Sequence, residues 1–130
     1  INQRRVHGRW DERPLGTIFQ SVASRSPCPL LAVPGTQVAP LKRVLLAYDG
    51  SPKAREALFI LKHLVTCWRI EGIILTIESD NTDRDMLDAA QQYVQEAEGA
   101  RVQAISMPGI PDEVILREMS AQSADLLLMG

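Results

Sequence analysis

Apolar positions along the last two thirds of this chain switch repeatedly between two spacings. Residues 44–48 (VLLAY) form a short apolar run of the kind that suits a strand buried on both faces. Asp49-Gly50 breaks the run. Ser51-Pro52 then has the form of a helix start, a hydroxyl N-cap followed by proline at the first helical position. Over residues 52–68 the apolar residues Ala57, Leu58, Leu61, Leu64, Val65 and Trp68 recur at helical spacing, which predicts a helix with one buried face. Residues 72–77 (GIILTI) are β-branched and short, as a buried strand is. Thr82 is placed to cap a second helix, whose stripe runs Met86, Ala90, Tyr93, Val94 and Ala97 and which Gly99 would stop. Residues 101–107 (RVQAISM) alternate, as in an edge strand with one wet face. Pro108-Gly109 turns the chain, Pro111 opens a third helix through about Ser120, and residues 124–129 make the next strand.

Residues 42–130 therefore read β-α-β-α-β-α-β. That order implies an α/β fold with a parallel sheet, right-handed crossovers and helices on both faces. The N-terminal third reads differently. Residues 15–26 suit a helix with Ile18, Phe19, Val22 and Ala23 on one face, interrupted by Pro27-Cys28-Pro29. Residues 30–33 read as a short strand, and residues 35–41 (GTQVAPL) as a linker. This α-β pair is of the kind that would finish the sheet begun later.

At 130 residues, 45% hydrophobic and 23% charged, the composition is that of one globular domain. A net charge of -2 and a pI near 5.7 give no reason to expect a nucleic-acid partner. Arg4, Arg5 and Arg9 form only a small cluster, read as solvated surface. No apolar run reaches membrane-spanning length and the opening residues INQRRVHGRW do not resemble a signal peptide, so the expectation is a cytoplasmic protein with no membrane partner. Cys28 and Cys67 lack disulfide or metal-site spacing and are expected as buried reduced thiols.

The candidate chemistry lies where the first strand ends. In open parallel sheets ligands are held in the crevice at the carboxyl ends of the strands. Asp49 stands at one such end, and the sequence LLLMG at residues 126–130 brings a second strand to Met129 and Gly130. Two readings of Asp49-Gly50 stand side by side: a ligand contact, or a turn in which Asp49 caps the following helix. His7 and His63 are isolated and read as surface or core filler. Asp83, Asp85 and Asp88 read as charge favoured by a helix N-terminus, and Trp10 and Trp68 as packing residues. No Ser-His-Asp arrangement, metal-ligand spacing or phosphate-binding lysine motif stands out, so no catalytic or metal residue is assigned.

With these pieces in place the chain resembles the universal stress protein family, in an unusual order. RVLLAYDGS at residues 43–51, GIPDEVI at 109–115 and ADLLLMG at 124–130 resemble successive motifs in the first two thirds of one such domain. Residues 7–34, with HG, then GT opening a helix, then SPCPLLAVP as the fifth strand, resemble the last third of such a domain. The resemblance implies residues 1–34 as the C-terminal third of one universal stress domain, 35–41 as a linker and 42–130 as the first two thirds of a second. It implies a Rossmann-like five-stranded sheet of the adenine nucleotide alpha hydrolase type in the order 3-2-1-4-5, permuted or fragmentary here. Covering the sheet edge then falls to residues 1–34, either in the same chain or by exchange of a strand and helix with a second chain, or to sequence beyond Gly130. The seven residues of the linker reach at most about 25 Å, a tight fit for closure within one chain. Exchange or further sequence is therefore favoured, and a homodimer or exchanged oligomer is expected.

The resemblance also implies an adenine nucleotide as partner, ATP with Mg as the possible cofactor, a stress-response or regulatory role, and at most slow ATP hydrolysis. Carried across residue by residue, Asp49 with Gly50 and Ser51 matches the adenosine-side acid and turn. Ile77 matches the adenine-side position, and Met129 and Gly130 the start of the phosphate loop. Gly8, Gly16 and Thr17 match that loop's later glycines and hydroxyl, in the preceding repeat. Seven residues separate Gly8 from Gly16 where nucleotide-binding members usually have nine, and Asp11 and Glu12 among them would repel a triphosphate. The alternatives are a structural or dimerisation module of the same fold, and a phosphoacceptor receiver. The receiver fits poorly, because it needs its aspartate at the third strand, which here ends Ser106-Met107-Pro108.

Overall fold

The computed structural model describes residues 17–33, 40–78 and 84–130, with Thr17 described by its backbone alone. The expectations for His7, Gly8, Trp10, Gly16, Thr82, Asp83 and most of the linker lie outside these residues. The chain divides into two compact units, Ile1–Ala39 and Pro40–Gly130.

In the first unit α1 spans Thr17–Arg25, within the expected helix. Ile18 and Val22 are exposed along it. Residues 30–33, expected as a fifth strand, adopt no strand, and Leu31 and Val33 are exposed at 72% and 62%. Apolar composition is not enough because a strand needs a partner to pair with, and none of the strand pairings among the described residues includes residues 30–33.

The second unit follows the expected alternation. It runs β1 (Arg43–Ala47), α2 (Pro52–Cys67), β2 (Glu71–Glu78), α3 (Arg84–Gln95), β3 (Arg101–Pro108), α4 (Pro111–Ala121) and β4 (Leu126–Leu128). All three strand pairings are parallel, in the order β3-β2-β1-β4. The sheet of the described residues thus has four strands, the expected order without its fifth member, and β3 is at an edge as its alternating sequence requires.

The central strands are buried on both faces. Val44, Leu46, Tyr48 and Ile74 point to the side covered by α2 and α3, where Leu61, Val65, Leu87 and Val94 meet them. Leu45, Ile73 and Leu75 point to the opposite side, where Val114 and Ile115 of α4 cover them. Each such Leu or Ile, fully buried, contributes on the order of 1.5–3 kcal/mol relative to an exposed one. Register at the start of β1 is set by Asp125, whose Oδ2 accepts from the Lys42 and Arg43 N–H groups at 2.8 and 3.0 Å. α3 ends at Gln95, short of the expected stop, and Gly99, at φ +76, lies in the turn that follows it.

Two expectations about packing are overturned. Cys28 and Cys67 are both exposed free thiols, not buried ones. Cys67 is the last residue of α2 and turns away from the stripe that packs, with its Sγ 3.6 Å from Nδ1 of the exposed His63. Trp68 is 58% exposed, because it is the C-cap where the helix ends and no longer continues the buried face.

Candidate functional site

Parallel pairing brings two strand ends together. Leu46 of β1 is opposite Leu128 of β4, and Ala47 is opposite Leu75 of β2. Asp49 and Gly130 therefore leave neighbouring strands at the same, carboxyl, end of the sheet. Between β1 and β4 the direction of winding reverses, which is where an open sheet parts and leaves a crevice. A cleft of about 330 Å³ opens there. Ala47, Tyr48 and Asp49 line it from β1 and its continuation, Ala54 from α2 and Ile77 from β2. Pro111 and Ile115 line it from α4, and Met129 and Gly130 from the chain beyond β4.

Of the residues singled out in the sequence, Asp49, Ile77, Met129 and Gly130 meet in this cleft. Gly50 and Ser51 form the turn behind it. Gly50 has φ +75, and a Cβ at that position would run into Sδ of Met86 on α3, so the turn accepts only glycine comfortably. Ser51 is the N-cap of α2, its Oγ accepting from the Ala54 N–H at 3.1 Å. Gly130 is held by close approach: a Cβ there would meet the backbone of Lys53 and Ala54 in the first turn of α2. Gly8 and Gly16 lie outside the described residues, and so does the side chain of Thr17.

Asp49 is exposed, and its Oδ1 accepts from the Ser51 N–H at 2.9 Å. Hydrogen bonds from the Ser51 side chain and backbone hold its carboxyl below the usual aspartate range. The turn reading is thereby realised in a particular form: Ser51 caps the helix and Asp49 braces the turn. The Ser51 backbone and side chain use part of the carboxylate's acceptor capacity, and an ionised carboxylate can accept more hydrogen bonds than these two. The remaining walls of the cleft are mostly apolar, so the arrangement suits a flat apolar group that carries hydrogen-bond donors toward Asp49.

Sequence reading missed the contributions of α4 and of Thr76. Pro111 and Ile115 form one wall, yet Pro111 reads only as a helix opener and Ile115 only as part of a motif. Thr76 is buried in β2 and its Oγ1 donates to the Tyr48 carbonyl at 2.9 Å, fixing the strand end from which Asp49 projects. The single hydroxyl in the apolar run GIILTI was the available signal.

A larger, wide hollow of about 500 Å³ lies at the amino ends of the strands, beside Arg43, Glu71, Arg101 and Gln122. Its polar groups already satisfy one another. Arg43 Nε meets Glu71 Oε2 at 2.7 Å, and Arg43 Nη1 donates to the Gln122 carbonyl at 2.9 Å. Among the described residues no group of three or more His, Cys, Asp or Glu side chains is placed to hold a metal ion. No helix among them is long and apolar enough to cross a membrane.

No protein-family model matches the chain. A universal stress protein of Synechocystis sp. is 26% identical over 133 residues, covering 100% of this chain and 46% of that relative, so the chain spans about half the relative's length. The crystal structure of a universal stress protein from Archaeoglobus fulgidus is similar with TM-score 0.62 and 31% identity, over 68% of this chain and 32% of that one. A universal stress protein solved in complex with cAMP shares the fold at TM-score 0.61 and 19% identity, over 68% of this chain and 72% of its own. A universal stress family protein from Arabidopsis thaliana, solved with AMP bound, does so at TM-score 0.53 and 18% identity, over 68% and 75%. These comparisons bear out the resemblance to the universal stress protein family and the Rossmann-like α/β fold.

Proposed function

We propose that this universal stress protein chain binds an adenine nucleotide at the carboxyl end of its sheet, in a stress-response or regulatory role. One observation carries the reading: Asp49, Ile77, Met129 and Gly130 converge on one cleft at the reversal between β1 and β4. Two proteins of the same fold have been solved with cAMP and with AMP, ligands that share the adenosine moiety. In the proposed arrangement the base lies against Ile77, Met129 and Ile115, and the ribose hydroxyls donate to Asp49. The carboxylate is ionised at neutral pH and so acts only as an acceptor. Residues 1–34 are read as the tail of a preceding repeat and residues 42–130 as the start of the next, in keeping with a match that spans 46% of the Synechocystis relative.

Thermal denaturation with millimolar AMP, cAMP or MgATP tests the reading. The midpoint is expected to rise with ligand, since a ligand that binds only the folded state stabilises it. Asp49→Ala is expected to remove that rise while the protein stays folded. An unchanged midpoint with all three ligands, together with no nucleotide released from the purified protein, would favour a structural module instead. A rise that survives Asp49→Ala would place the site elsewhere.

A further inference from the structure

His63 and Cys67 stand one turn apart on α2, both exposed, with Nδ1 of the imidazole 3.6 Å from Sγ of the thiol. Their i, i+4 spacing puts two metal-ligand side chains on one face of a helix. Leu61, Leu64 and Val65, interleaved with the pair in sequence, are buried in the core. The two donors are therefore carried outward on a backbone that packing holds in place.

Two features favour a cation between these atoms. A tetrahedral ion bound at about 2.1 Å by an imidazole nitrogen and at about 2.3 Å by a thiolate sulfur holds its two donors about 3.6 Å apart. That is the separation found between His63 and Cys67. Cys67 is also the last residue of α2, where the carbonyl groups carry partial negative charge, and no basic side chain lies in that last turn. Of the cations adjacent in sequence, Lys62 is directed onto the Tyr93 ring of α3, its Nζ 3.8 Å from the centroid. Arg69 follows the C-cap and is exposed.

We propose that His63 Nδ1 and Cys67 Sγ form a two-donor surface site for a borderline-soft divalent cation of the zinc type, with water in the remaining positions. Imidazole with thiolate is a donor set that zinc takes readily, whereas magnesium and calcium favour oxygen. On binding, the thiol S–H bond breaks, its proton passes to solvent and a sulfur–metal bond forms. Two protein donors are fewer than a closed structural site supplies, so the ion is held reversibly. The site is separate from the nucleotide cleft: Ala54 lines that cleft from the first turn of α2, and Cys67 ends the same helix about 20 Å away.

Thiol labelling of the reduced full chain in zinc chloride, followed residue by residue by peptide mass spectrometry, tests the proposal. Saturating zinc is expected to slow labelling of Cys67 about tenfold or more, to leave Cys28 reactive, and to be reversed by EDTA. Magnesium chloride is expected to protect neither thiol, and His63→Gln to abolish the protection by zinc. Cobalt(II) in place of zinc is expected to give a near-ultraviolet thiolate charge-transfer band, lost in Cys67→Ser and in His63→Gln and kept in Cys28→Ser. All three positions are exposed, and circular dichroism checks that each variant is folded. Unprotected Cys67 in zinc would reduce the pair to a thiol–imidazole hydrogen bond and overturn the site. Equal protection of Cys28, or protection that survives His63→Gln, would mark adventitious binding to thiols and overturn it too.

Discussion

Thr76 Oγ1 donates a 2.9 Å hydrogen bond to the carbonyl of Tyr48, and both residues are buried. The Tyr48 N–H donates in turn to Leu75 at 2.8 Å. The strand end that presents Asp49 is therefore tied to β2 through main chain and side chain together. Thr76→Val keeps the shape but removes the donor from a buried carbonyl. A loss of about 1–2 kcal/mol in urea unfolding is expected, with Thr76→Ser retaining most of the stability. Unchanged stability in the valine variant would show that the hydroxyl does not hold the strand end.

Gly50 and Met86 form a second such pair. Gly50→Ala forces a side chain onto a left-handed backbone, at about 1–2 kcal/mol, and pushes its methyl into the Met86 sulfur. The double variant with Met86→Ala is expected to lose less stability than the two single losses summed. Strict additivity would mean that the contact between turn and helix is not the cause.

The titration of Asp49 has a definite sign. Its folded pKa is lowered by Ser51, so ionisation favours the folded state. The associated stability is present above the ordinary aspartate range and is lost as pH falls through the depressed folded value. Carboxyl NMR titration is expected to place Asp49 below an ordinary aspartate, and Ser51→Ala to move it upward. The same substitution removes the α2 N-cap, at about 1 kcal/mol.

Glu71 behaves alike at the other end of the sheet. The hydrogen bond and charge of Arg43 lower its pKa, with a smaller contribution from Arg101. Arg43→Ala is expected to raise the Glu71 midpoint measured by NMR. Because both side chains are about half exposed and solvent screens the pair, the same substitution is expected to change stability little in urea unfolding.

Both thiols are exposed. An aromatic disulfide reagent is expected to label Cys28 and Cys67 in the folded, reduced protein at similar rates with and without denaturant. A cysteine that reacts only after unfolding would contradict its exposure.

Local pattern determined most of the Pro40–Gly130 unit. The run VLLAY, the helical spacing after Pro52 and the alternation in RVQAISM each encode burial directly, because the periods of strand and helix differ. Even the site was half legible: a carboxylate and a glycine at two strand ends are visible as letters. Local apolar content failed where burial depends on what lies opposite. Leu31 and Val33 read as strand yet form none, and Trp68 continues a periodic stripe past the point where the helix stops packing.

Only the tertiary structure decided that Leu46 and Leu128 face each other and that the cleft beyond them takes its second wall from Pro111 and Ile115. It also decided that Met86 lies under Gly50 and that the backbone of α2 leaves no room for a side chain at Gly130. The physical reason is distance along the chain. Hydrophobic period reports which face of an element is buried, whereas these contacts join residues many positions apart, and they follow from strand order, register and the side of the sheet on which each helix packs.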